Sequence, residues 1–103
     1  MSVNLFQTAA ELLDWTIDWA TRGIGTDTIS TSTFTQSSGD FTLSSESIGA
    51  SPSTGAASQA TTFWLTGGVP GKFYAITNSI VTAGGRTMQE TMNYECLPQR
   101  NLT

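Results

Sequence analysis

Asp14 and Asp18, set four residues apart in the run Leu12-Leu-Asp-Trp-Thr-Ile-Asp-Trp-Ala20, are the nearest approach in this sequence to a paired-carboxylate site. Two carboxyl groups do general acid–base work, or flank a glycosidic bond, only when a few ångströms separate them. Here Leu13, Trp15, Ile17 and Trp19 alternate with Asp14, Thr16 and Asp18. That period of two belongs to a strand with one buried face, whereas a helix would scatter the apolar residues around its circumference. On a strand the two aspartates stand roughly 13 Å apart. They read as solvated charges on the outer face.

The other routes to catalysis are equally thin. The sequence has no histidine, which removes the Ser–His and Cys–His nucleophile pairs and the most common metal ligand. Its one cysteine, Cys96, alternates with Met92 and Tyr94 and reads as a buried small hydrophobe. With no second thiol there is no internal disulfide, so packing must hold the fold in a reducing or redox-indifferent setting. Gly67-Gly-Val-Pro-Gly71 and Ala83-Gly-Gly-Arg86 lack the lysine and following helix of a phosphate-binding loop. Asp27 and Asp40 stand beside turn sequences, where aspartate caps backbone donors. The reading is a protein without enzymatic activity, cofactor or metal.

Charge narrows the partners. The formal net charge is −4, and Arg22, Lys72, Arg86 and Arg100 are spread singly, so no basic patch is present to engage a phosphate backbone. Charged residues make up 12% of the chain, about half the roughly 25% usual in soluble domains. Serine and threonine fill the polar positions instead, about thirty residues together. A hydroxyl surface repels neighbours weakly, which suits a subunit of an assembly or an extracellular β-domain alike. No apolar run approaches the roughly 18 residues of a membrane helix, and the opening Met-Ser-Val-Asn-Leu-Phe-Gln has no secretory-signal pattern.

The length fits one domain, and the alternation predicts strands over 11–20, 28–35, 41–48, 61–66, 72–82 and 87–97. Turn signals at 22–27, 36–40, 67–71 and 83–86 separate them. Expected core residues are Leu13, Trp15, Ile17, Trp19, Phe41, Trp64, Tyr74, Ile76 and Tyr94. The run Phe63-Trp-Leu65 predicts a strand covered on both faces, in the centre of a sheet or at a subunit contact. The fold class is all-β, a small immunoglobulin-like β-sandwich of six to seven antiparallel strands. Residues 1–10 are an N-terminal segment, 11–97 the sandwich and 98–103 a C-terminal tail. The stretch 49–60, rich in Gly, Ala and Ser, reads as a mobile surface loop or an arm ordered by a neighbour.

Two groups of segments resemble the fibre–tail adaptor proteins of tailed bacteriophages. The first is Leu13-Asp-Trp-Thr-Ile-Asp-Trp-Ala20 followed by Asp27-Thr-Ile-Ser-Thr-Ser-Thr-Phe34. The second is Thr62-Phe-Trp-Leu-Thr-Gly-Gly68, Gly71-Lys-Phe-Tyr-Ala-Ile-Thr-Asn78 and Thr82-Ala-Gly-Gly-Arg-Thr87. Beyond Tyr94 the chain departs from the family's usual ending. The resemblance implies a virion component of the tail or head-to-tail interface, made in the host cytoplasm and present in several copies. Its partners would be other virion proteins: tail adaptor, nozzle or portal-associated subunits, and tail fibre. Neither nucleic acid nor membrane is among them.

Segments outside the alternating strands are the expected docking elements, with Leu5, Phe6, Ser51, Pro52, Thr54, Pro98 and Leu102 as partner-binding residues. A capsid decoration protein is the alternative reading. A carbohydrate-binding module is a further one. It requires exposed aromatics, for which Trp64, read as core or interface, is the one candidate.

Overall fold

A computed structural model describes residues 3–98. Seven strands follow one another: β1 Val3–Thr8, β2 Leu12–Asp18, β3 Ile29–Gln36, β4 Phe41–Gly49, β5 Ala60–Gly67, β6 Phe73–Thr82 and β7 Thr87–Leu97. One sheet has the order β1-β7-β6-β3 and the other β2-β5-β4. The orders β7-β6-β3 and β2-β5-β4 are the G-F-C and B-E-D orders of an immunoglobulin-type sandwich.

Two expectations are corrected here. The N-terminal segment contributes β1, an edge strand of the larger sheet, and β1 pairs with β7 in parallel, so the sandwich is not wholly antiparallel. The reason is the connection. Strand β1 crosses to the opposite sheet to become β2 instead of folding back as a hairpin, so nothing forces it to oppose β7. Moreover, the strand read to Ala20 ends at Asp18, where Trp19–Thr21 turns into a short 3₁₀ helix capped by the Asp18 carboxylate (Ala20 N–H, 3.2 Å).

The core lies between the sheets. Ile17, Trp19, Phe41, Tyr74, Ile76 and Tyr94 are buried with Phe63, Leu65, Ile80, Met92 and Cys96. Phe41, Tyr74 and Tyr94 form an aromatic triangle with centroids 4.9, 5.6 and 5.7 Å apart, spacings at which tilted rings attract. Trp15 is half-buried at the margin of this core. Leu13 belongs less: it faces inward near the start of an edge strand and is only partly covered.

Buried amides join the sheets. On β6, Asn78 Oδ1 accepts from Trp19 Nε1 (3.2 Å) and from the Thr61 hydroxyl of β5 (2.7 Å), while its Nδ2 donates to Ser32 Oγ (2.9 Å). On β1, Gln7 Nε2 donates to the Leu65 carbonyl (2.8 Å) and Gln7 Oε1 accepts from Trp15 Nε1 (2.7 Å). Full satisfaction makes such groups acceptable in a core. Turn chemistry follows the glycines: at 83–86 the Thr82 N–H donates to the Arg86 carbonyl (2.8 Å) with Gly85 at φ 90°. At Gly68 a Cβ would lie 3.1 Å from Cys96 Sγ.

Candidate docking surfaces

No group of three or more potential metal-ligating side chains occurs among the described residues. Asp14 lies exposed on β2. Asp18 has a structural role: it accepts from Ser51 Oγ (2.7 Å) and from the Ser53 hydroxyl as well as capping the 3₁₀ helix. The Ser53 hydrogen bond is the main reason its carboxyl titrates below the ordinary range, with desolvation opposing. Asp27 also titrates low, chiefly because of the Thr82 hydroxyl; it accepts from the Thr28 and Gly84 backbone N–H groups (2.9 and 3.0 Å). Its work is to hold the 83–86 turn.

The clearest departure from an inert surface is on the outer face of the larger sheet. Strand register aligns Phe6 of β1, Glu95 of β7 and Phe73 of β6 in one row. Strands spaced about 4.8 Å apart place the two rings' backbones roughly 10 Å apart, with the carboxylate between. Phe73 is 72% exposed and Phe6 45%. Asn4 and Asn93 form the adjoining row, with their side chains hydrogen-bonded (3.3 Å). Together these residues line a shallow cleft of about 180 Å³. Such an arrangement offers apolar contact with a central negative charge, and so suits a protein segment with an apolar anchor beside a cation.

The residues expected to bind partners do not converge. Leu5 is 3% exposed and belongs to the core; its neighbour Phe6 faces out because successive residues of a strand take opposite faces. Ser51 is buried and committed to Asp18. Pro52 and Thr54 are exposed at the end of the sandwich where β4 gives way to β5, and Pro98 is exposed at the end where β7 stops, the opposite one. Leu102 lies outside the described residues.

The stretch 49–60 is held at its ends by its own chain. Gln59 Nε2 donates to the Gly25 and Asp27 carbonyls (2.8 and 2.7 Å), and Gln59 O accepts from Trp19 N (3.0 Å).

Trp64 is a correction of a different kind. It is 37% exposed and faces solvent, because Phe63 and Leu65 take the inward positions and, among the described residues, no further layer covers the smaller sheet. Phe73, Glu95, Asn4 and Asn93 were missed as surface candidates. The signal was present in the alternation of Phe73 against buried Tyr74 and Ile76.

A family model described as podophage GP4 fiber-tail adaptor protein gp77 matches residues 7–94. The chain belongs to that family. The match takes in every strand except the beginning of β1 and the end of β7. No curated protein matches the chain. The family is one of structural adaptor proteins of phage tails.

Proposed function

We propose that this chain is a non-enzymatic virion protein that joins tail fibres to the tail or head-to-tail assembly, in several copies per particle. The family match over most of the chain carries this reading. The Phe6–Glu95–Phe73 face is the docking surface toward one virion partner, since it combines the most exposed large apolar side chain among the described residues with a central carboxylate. Desolvated aromatic anchors of this kind dominate interface energetics. Pro98 and the exposed tip at Pro52 and Thr54 mark the two ends of the domain, either of which can meet a second partner.

The test is incorporation. Phages carrying Phe6→Ser/Phe73→Ser should yield a folded adaptor of unchanged thermal stability that is absent from purified virions, together with the fibres. Normal occupancy with fibres attached would rule out this face. Wild-type protein found over the capsid shell, and not at the tail, would replace the adaptor role with decoration.

A further inference from the structure

The outer face of the smaller sheet carries a second aromatic centre with different surroundings. Register sets Asp14 of β2 and Ser44 of β4 on either side of Trp64. Thr62 and Thr66 precede and follow Trp64 on the same face of β5, and Thr16 Oγ1 lies 2.9 Å from Thr62 Oγ1. An aromatic ring is thus framed by four hydroxyls and one carboxylate on the outer face of the sheet, next to an irregularity of β4 between Ser44 and Ser47. Leu12, at a corner, is the other exposed large apolar side chain there. No lysine or arginine occupies β2, β4 or β5. Among the described residues neither the Trp64 indole N–H nor the Asp14 carboxylate has a hydrogen-bond partner, so both are available to a ligand.

We propose that this face is a binding platform for a neutral carbohydrate. A pyranose has one face of C–H groups, which packs on an indole, and a rim of hydroxyls that both donate and accept. The Asp14 carboxylate supplies two acceptor oxygens able to take adjacent hydroxyls, and Ser44, Thr62 and Thr66 supply donors and acceptors around the ring. The Asp14 carboxylate disfavours acidic sugars. A protein partner fits less well, because serine, threonine and aspartate are the residues depleted from interface cores and hot spots. The proposal stands independently of the adaptor reading, which rests on the family match and whose docking face lies on the opposite sheet.

The measurement is an ¹⁵N NMR titration of the full chain with cellohexaose, maltohexaose, mannohexaose and chitohexaose. With at least one of them, the Trp64 indole N–H resonance should shift saturably, with Kd about 1 mM. The Trp15 and Trp19 indole resonances, held by Gln7 and by Thr61 and Asn78, should stay in place. Trp64→Ala should abolish the shifts without unfolding the chain, Trp64→Tyr should restore part of the binding, and Asp14→Asn should weaken it by about tenfold. Absence of a saturable shift with all four sugars overturns the proposal, as do shifts that persist in Trp64→Ala. If Trp64→Ala instead abolishes co-sedimentation with the phage's fibre protein while no sugar binds, the face is a protein interface. Loss of adaptor function would show in the Phe6→Ser/Phe73→Ser virions and leave the sugar titration unchanged.

Discussion

Three tryptophans show how far one residue type can diverge with its surroundings. Trp19 is 1% exposed, and its indole N–H donates to Thr61 Oγ1 at 3.0 Å as well as to Asn78. Trp19→Ala removes a large core side chain and two acceptors' partner at once, and should cost about 3–5 kcal/mol. Trp64→Ala, on the solvent face, should cost less than about 1 kcal/mol. Urea unfolding of the two variants checks the contrast, and equal losses would mean that Trp64 is not on an outer face. Asp18 gives a prediction in pH. Its folded-state pKa lies below the ordinary value of 3.8, so above that value the unfolded chain gains nothing by holding a proton. As pH falls through the folded-state value the contribution is lost, because the unfolded chain has already taken up its proton. Stability measured by denaturant between about pH 5 and 2.5 should therefore decline less steeply in Asp18→Asn than in the wild type.

Among the elements, β1 is the informative one. Its residues alternate between the core and solvent, with Leu5 and Gln7 inside and Asn4 and Phe6 outside. Gln7 also bonds the Leu65 carbonyl and Trp15, so β1 helps to close the sandwich between its two sheets. Leu5→Ala should lower stability by about 2–5 kcal/mol, while Phe6→Ala should lie within about 0.5 kcal/mol of wild type. Thermal or urea unfolding of this adjacent pair decides whether the segment is a strand or an appendage. The 49–60 connection follows the same logic. Its ends are buried, Ser51 bonded to the Asp18 carboxylate and Gln59 to the Gly25 and Asp27 carbonyls, so shortening it through those positions should destabilise the domain, whereas changes at exposed Pro52 and Thr54 should not.

At the scale of the whole molecule, the two exposed aromatic centres lie on opposite outer faces, separated by both sheets and the core between them. Sheets pack about 10 Å apart, and sites that far apart without shared partners act additively. Phe73→Ala should therefore impair incorporation into virions while sugar titrations remain as in wild type. Trp64→Ala should do the reverse. Fibre retention counted in purified particles, set beside the NMR titration, reads both. A chain whose two sheets each present one such face is suited to contact two different things at once.

Local alternation was enough to place the strands from β2 onward to within a few residues, because a half-buried strand must repeat every second residue. It also identified Ile17, Trp19, Phe41, Tyr74, Ile76 and Tyr94 as inward-facing. The ordered Trp, Gly-Gly and Thr-Asn segments identified the family. Three matters needed the tertiary structure. Strand β1 is too short and mixed in composition to declare itself, and only pairing with β7 gives its parity meaning. Trp64 sits among large apolar neighbours, so whether its face is covered depends on how many layers the chain builds, and the described residues build two. The Phe6–Glu95–Phe73 row joins residues from three strands up to 89 positions apart. Such a row exists only through register, which hydrogen bonding between strands sets and which no single segment encodes.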